Sequence, residues 1–391
     1  MERVVIVGAG LAGLRSAEAL RERGYTGQVT LIGAEPHLPY ERPPLSKALL
    51  RGEVDDTTLE ADWDRLGVEL RLEERATALR SGTVDTDRAT YAFDGLVIAT
   101  GAEPTRLPGD SRSRLLRTVD DARALRGSLR PGTRLVVVGA GWIGAEVATA
   151  AAAAGCRVTV VEAGEAPLAT AVGAGIGRHT ESWYAETGVA LRLGAAVASV
   201  EREGVQLADG ELLPADEVLV AVGVRPAVAW LAGSGVTIDG AVVVDESLRT
   251  SMAGIVAVGD CADWWSPRFG ARVHVEHWDD ALRAPDTAAA VLLGAERAYD
   301  PVPYFWSEQH GRMLQYVGYH PVADELLWRG DPRRGDWAAC WLRGERLVAL
   351  LSVDRPRDMV QARKLIASGR PVDRDRLADP AVRVRDCATQ V

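Results

Sequence analysis

The residues in this chain best suited to chemistry come as a repeated glycine-rich turn. Gly8-Ala9-Gly10-Leu11-Ala12-Gly13 follows the apolar run Val4-Val5-Ile6-Val7, and Gly139-Ala140-Gly141-Trp142-Ile143-Gly144 follows Leu135-Val136-Val137-Val138. Each is G-x-G-x-x-G between an expected strand and an expected helix. In that setting the first glycine makes a tight turn, the second lets backbone approach a pyrophosphate, and the third lets helix pack close to strand. One copy is weak evidence. Two copies argue for two dinucleotides on one chain. The natural pair is a bound flavin and a diffusing nicotinamide, with electrons moving between them.

An acid stands where each ribose is expected. Val29-Thr30-Leu31-Ile32 leads to Glu35, and Val158-Thr159-Val160-Val161 leads to Glu162. A carboxylate at the end of the second strand of a dinucleotide unit accepts hydrogen bonds from ribose hydroxyls. Residues 163–170 offer no Arg or Lys to a 2′-phosphate, and Glu162 would repel one, so the second site is expected to prefer NAD over NADP. In the loop 38–47 the prolines bar a helix until Pro44, and the stiffened chain delivers Arg42 and Lys47 toward the first nucleotide. Lys47 stands out, because lysine occurs elsewhere only at position 364. The stretch 96–102 reads as a buried strand ending in Ala99, Thr100 and Gly101, small residues that admit a ligand close to the backbone. Gly259-Asp260 ends another apolar run, where ligands bind in open α/β sheets.

The elements that must position these residues follow from the same pattern. Apolar strands alternate with helices over 10–23 and 143–154, each stopped by a glycine, which gives an α/β fold with two Rossmann-type units. Residues 242–245 and 255–260 read as strands that return to the first unit. From about residue 303 alternating apolar strands precede a helical tail beginning near Asp358, a pattern that predicts an α+β domain. The expected domains are 1–108 with 232–302 for FAD, 109–231 for NAD, and 303–391 at the C-terminus. Net charge is -10 and the pI about 5.3, which argues against a general nucleic-acid binder. No apolar run is long enough to span a membrane, and the first strand begins too early for a signal peptide, so a cytoplasmic protein is expected. Cys156, Cys261, Cys340 and Cys387 form no C-x-x-C pair; they fit neither a redox dithiol nor a metal site.

Four motifs carry a family resemblance: 39–47 (PYERPPLSK), 259–262 (GDCA), 276–281 (EHWDDA) and 305–309 (FWSEQ). Taken in order they resemble the NADH-dependent ferredoxin reductases, flavoprotein partners of cytochrome P450 monooxygenases and ring-hydroxylating dioxygenases. The likeness runs to about Asp386 and extends to the rubredoxin reductases. It implies a glutathione-reductase-like fold, with an FAD domain interrupted by an NAD domain and followed by a C-terminal domain.

The resemblance also implies site roles. FAD, tight but non-covalent, is expected at Gly8, Gly10, Leu11, Ala12 and Gly13 of the first loop, at Glu35 and Arg42, and at Ala76 beside the adenine. Arg117 and Asp260 are expected on the ribityl and pyrophosphate side, with Ala99, Thr100, Gly101 and Gly259 among the cofactor contacts. Trp278 is expected near the pyrimidine end of the flavin and Trp306 flanking its isoalloxazine, with Glu276, His277 and Ala281 among the cofactor contacts. NADH is expected at Gly139, Gly141, Ile143, Gly144, Glu162 and Gly223. Lys47 is the expected catalytic cation beside the ring, with Glu146 as its ionic partner. His274, where relatives often carry Arg, and Ala227, where Asn is usual, depart from the pattern. The implied reaction passes electrons from NADH through FAD to an iron–sulfur ferredoxin, on a monomer or weak homodimer. Arg312, Arg329, Arg333, Arg334, Arg343 and Arg346 are candidates for a local basic patch that docks the acidic partner by charge. Rubredoxin reduction is the alternative acceptor chemistry. A redox-responsive FAD/NADH-binding protein of the apoptosis-inducing-factor type is the alternative of another class. A cysteine-based peroxide or disulfide reductase is disfavoured, because the first cysteine lies beyond the second glycine loop.

Overall fold

The computed structural model describes residues 1–389, so the last two residues of the expected C-terminal domain lie outside the described residues. The first sheet is parallel throughout, in the order Ile255–Ala257, Gly95–Ile98, Arg3–Val7, Gln28–Ile32, Val68–Arg71. Its central strands are Val-, Ile- and Leu-rich and buried on both faces, as a parallel sheet covered on both sides requires. Each such side chain taken out of water contributes about 1.5–3 kcal/mol. Helix Leu11–Glu22 leaves the sheet at Gly10 and packs against helix Trp278–Leu292.

The second unit repeats the arrangement. Ala190–Arg192, Arg157–Val161, Arg134–Val138 and Glu217–Val220 form a parallel sheet in that order. The glycine-loop strand is again central and again feeds a helix, Trp142–Ala153. Its alanines are mostly buried, so close packing with good helix formers builds the element. The chain leaves the first unit along Ala102–Pro104 and returns beside it along Val224–Pro226, the two segments pairing antiparallel.

After the return, only Ile255–Ala257 joins the first sheet. Ala241–Val244 instead enters a separate sheet with Ile238–Asp239, Ala262–Ser266 and Ala271–Val273. The C-terminal region is an antiparallel sheet in the order Tyr304–Gln309, Arg312–Gly318, Arg346–Val353, Trp337–Arg343, Glu325–Arg329, covered by helix Pro356–Ser368. The loop after Glu35 turns helical one residue earlier than Pro44, as a single 3-10 turn over Pro43–Ser46 that sets Lys47 at its end. Among the described residues no helix is long and apolar enough to cross a membrane.

Candidate functional site

The first glycine loop opens onto a cavity of about 890 Å³, at the upper end of the range for small-molecule sites. Gly8, Gly10, Leu11 and Ala12 line it directly. Gly8 sits at φ +115°, and a Cβ there would stand 2.0 Å from the Ala99 carbonyl oxygen, so only glycine lets strand 95–98 approach. Gly13 lies behind the loop, where a Cβ would come within 1.8 Å of the Gly8 carbonyl oxygen; its role is helix–strand packing. At Gly10 a Cβ would meet open space, and no side chain caps the helix there. The helix N-terminus is thus a bare anion site facing the cavity.

One end of the cavity is built around Glu35 and Ala76. Arg42 donates to Glu35 Oε1 at 2.6 Å, and the Tyr40 hydroxyl donates to Oε2 at 2.5 Å. Arg42 also donates to the Tyr40 oxygen and to the Arg117 carbonyl. Burial pushes the Tyr40 phenol above its usual range, so it stays a neutral donor. Each carboxylate oxygen keeps a lone pair for a ribose hydroxyl. Midway, Arg117 pairs with Asp260 at 2.8 Å. His274 Nε2 lies 2.9 Å from the Asp260 carbonyl, so the departure from Arg leaves a contact to the same loop. Ala99, Thr100, Gly101 and Gly259 complete this stretch with Ala281, whose Cβ would lie 3.9 Å from a Cβ on Gly259.

Aromatic rings and a buried ion pair enclose the far end. Lys47 Nζ donates to Glu146 Oε2 at 2.8 Å; the lysine is 8% exposed and the glutamate 2%. Lys47 belongs to the first unit and Glu146 to the second, so the pair bridges them. The ammonium stands 6.0 Å from the Trp306 ring, and Trp278 meets Trp306 edge-on. His277 stacks on Phe305, which packs against Trp142. Desolvation pushes His277 down to about 4, so its imidazole is neutral at pH 7. Its Nδ1 is buried without a partner. Burial, reinforced by the Asp260 carboxylate, holds the Glu276 carboxyl above its usual range.

The remaining expected residues lie apart. Gly139, Gly141, Gly144, Glu162 and Gly223 stand outside this cavity, on the second unit; Ile143 lines it while also being 41% exposed. Glu162 folds back on its own loop, accepting from the Ala140 N–H at 2.8 Å and the Gly164 N–H at 2.7 Å. No side chain caps helix Trp142–Ala153 at Gly141.

One expectation fails outright. Arg329 is no part of a docking patch. It is 1% exposed, paired with Asp358, and donates to the carbonyls of Leu377, Asp379 and Val382. It staples the C-terminal tail to the sheet. Arg343 donates to the Phe269 carbonyl, and Arg312 pairs with Glu186. Cys261 directly follows Asp260 at the site. It is fully buried, however, and desolvation pushes its thiol up to about 11, which leaves no thiolate for catalysis.

Several residues at the site lie in the quoted motifs but are assigned no role from the sequence. Ser46, Ser307, Phe305 and Trp142 all touch the far end, and Glu41 accepts from the Trp278 indole at 2.5 Å. A period-two reading of 305–309 would have put Phe305, Ser307 and Gln309 on one face of a strand.

The groups present fit FAD: a bare helix N-terminus with space at Gly10, an acid at one end, an unpartnered imidazole nitrogen and a buried cation at the other. Residues 2–284 match the pyridine nucleotide-disulphide oxidoreductase family, and residues 304–388 match the Reductase C-terminal family. The ferredoxin reductase component of chlorobenzene dioxygenase from Cupriavidus sp. is 37% identical, over 98% of this chain and 97% of that protein. The crystal structure of Fdr9 covers all of both chains at 51% identity and a TM-score of 0.94. The covalent putidaredoxin reductase–putidaredoxin complex matches at 32% identity and a TM-score of 0.94, over 99% of this chain and 98% of that one.

Proposed function

This chain belongs to the pyridine nucleotide-disulphide oxidoreductase family, and from that premise we propose that it is an FAD-dependent NADH:ferredoxin oxidoreductase. The balanced reaction is NADH plus two oxidised iron–sulfur ferredoxins giving NAD⁺, one proton and two reduced ferredoxins. The acceptor would serve a dioxygenase or a cytochrome P450, in the cytoplasm. One observation carries the reading. The first acid-terminated glycine loop lines a cavity that the helix of the second loop reaches at Trp142, Ile143 and Glu146, and the Lys47–Glu146 pair joins the two units there at 2.8 Å.

FAD, when bound, couples the two-electron oxidation of NADH to one-electron delivery to the acceptor. The residues of the chain supply the setting. Glu35 and Arg42 hold the adenosine end, and the bare N-terminus of helix Leu11–Glu22 holds the pyrophosphate. Gly141 and Glu162 hold NADH on the second unit, whose helix begins at Trp142 and Ile143 beside the same cavity. Lys47 presents a preorganised positive charge where negative charge develops, in a site lined by Trp278, Trp306 and Phe305. His277, neutral at pH 7, adds no second charge.

The test is anaerobic stopped-flow mixing of the yellow protein with NADH and with NADPH, followed by an iron–sulfur ferredoxin. Rapid bleaching by NADH and single-electron ferredoxin reduction are expected. Bleaching with no onward transfer to any ferredoxin or rubredoxin would sink the acceptor assignment. A protein that takes up no flavin would sink the whole reading.

A further inference from the structure

Glu146 is an unusual group for its position. It lies in a helix whose neighbours Gly144, Ala145, Val147 and Ala148 are buried, and it is itself 2% exposed. A buried carboxylate persists when its lone pairs are taken by donors. Lys47 and Ser46 both donate to Oε2, at 2.8 and 2.5 Å. Oε1 receives its bond from the third domain: Ser307 Oγ lies 2.6 Å away. Ser307 is fully buried, and Gln309 Nε2 donates to its oxygen at 3.2 Å.

The direction of this chain follows from its chemistry. A carboxylate paired with lysine only accepts, so the single hydroxyl proton of Ser307 must point at Glu146. That leaves the Ser307 oxygen to accept, and Gln309 must offer its amino group rather than its carbonyl. Donors on Oε2 alone would let the carboxylate turn about its last torsion. A donor on Oε1 fixes its plane, and with it the point where the lysine ammonium rests. The strand and helix are matched for this. Phe305, Ser307 and Gln309 share one strand face, and helix residues Trp142, Glu146 and Thr149 share one helix face. Trp142 packs on Phe305 at 4.8 Å, Glu146 accepts from Ser307, and Thr149 Oγ accepts from the His310 N–H at 2.9 Å.

We propose that Ser307, oriented by Gln309, is a positioning residue for Lys47, so that the C-terminal domain completes the catalytic end of the cavity. What Lys47 is for rests on the function proposed above; where it is held does not.

The chain's own composition supplies the probe. Lys47 and Lys364 are the only lysines, and Lys364 is exposed. In the FAD-loaded full-length protein labelled with ¹⁵N-lysine, the side-chain ammonium of Lys47 gives one protected signal. Ser307→Ala is expected to move or broaden that signal, leave Lys364 unchanged, and slow flavin bleaching by NADH about tenfold to a hundredfold, with NADH affinity unchanged. Gln309→Ala should do the same to a smaller degree, and Ser307→Thr, which keeps the hydroxyl, should restore the signal. An unmoved Lys47 signal in a folded Ser307→Ala protein overturns the proposal. If that variant does not fold, an unmoved signal in Gln309→Ala overturns it equally. Wild-type protein whose flavin NADH leaves oxidised would instead defeat the functional reading, with the Lys47 signal still reporting on Ser307.

Discussion

The two glycine loops have nearly the same backbone and very different surroundings. Their first glycines sit at φ +115° and +105°, and their third glycines would each drive a Cβ to within about 2 Å of the first glycine's carbonyl oxygen. The difference lies in what reaches each loop from afar. Glu35 is gripped by Arg42 and Tyr40, and the first cavity is closed by segments from all three parts of the chain. Glu162 is satisfied only by N–H groups of its own neighbourhood, and Ile143 and Val222 nearby are about 40% exposed. The same motif thus stands enclosed by long-range contacts in the first unit and open in the second, the difference expected between a retained and an exchanging ligand.

The strongest way to break this comparison is to block each loop in turn. Gly10 and Gly141 both have open space where a Cβ would stand, so valine at either position should fold. Gly10→Val should purify colourless, with the ratio of flavin to protein absorbance falling to about a tenth or less of wild type. Gly141→Val should stay yellow while the NADH concentration for half-maximal bleaching rises at least about tenfold. Equal loss of flavin in both variants would show that the two sites are not divided as described.

Next in size is the pair that joins the units. Lys47→Met leaves Glu146 buried without its cation, an arrangement that costs about 3–5 kcal/mol. Flavin reduction by NADH should slow about a hundredfold or more, and thermal unfolding should come earlier. Glu146→Gln keeps the shape and the bonds from Ser46 and Ser307, so it should lose rate with a smaller loss of stability. A Lys47→Met protein as fast as wild type would remove the lysine from the mechanism.

These residues also mark the limit of what the sequence discloses. Glycine loops, acids and strands are local patterns, and the units that hold them could be read from 3.6- and 2-residue periods and from turns. Lys47 could be noticed because lysine is so rare here. Ser307 stands in the recognisable run 305–309, but its role could not be read there, since that role comes from Glu146, which is distant in sequence and reaches it only through the packing of a strand on a helix. Arg329 failed for the matching reason. It resembles any surface arginine until the tail at 377–382 folds over it and takes its donors. The partner of strand 241–244 was likewise illegible, because an apolar run does not name the strand it pairs with, here Ala262–Ser266.

A further effect is read by titration. Asp280, in the first turn of the helix that packs on the first glycine-loop helix, is held by Tyr299, and burial pushes it from 3.8 up to about 7. The folded chain then binds the extra proton between those values, so this group lowers stability as pH rises from about 4 to 7. His277, pushed from 6.5 down to about 4, acts the other way: the unfolded chain binds the extra proton, and stability rises over about 4 to 6.5. His310, also down to about 4 by desolvation, adds to that rise. In the native chain the trends oppose each other. Asp280→Asn, whose amide oxygen can still accept from Tyr299, should match wild type near pH 4 and exceed it by up to about 4 kcal/mol at pH 8. Denaturant melts across that range measure it, and a constant difference between the two proteins would exclude Asp280 as the source.

The smallest effect tests the open site most directly. Glu162 is expected to discriminate between nicotinamide cofactors in two ways. Its carboxylate accepts from ribose hydroxyls and repels a 2′-phosphate, and it also orders the loop by accepting from the Ala140 and Gly164 N–H groups. Removing it as Glu162→Ala takes away both, so NADH should bind more weakly while NADPH loses only the ordering and gains from the missing repulsion. The ratio of kcat/KM for NADPH over NADH should rise about tenfold, a change of about 1.4 kcal/mol. Flavin content should not change, because Glu35 and its Arg42–Tyr40 clamp belong to the other loop. The corresponding change there, Glu35→Ala, should leave that ratio alone and loosen the flavin instead. If Glu35→Ala altered cofactor preference, or Glu162→Ala released flavin, the enclosure of the first site would not be what distinguishes it from the second.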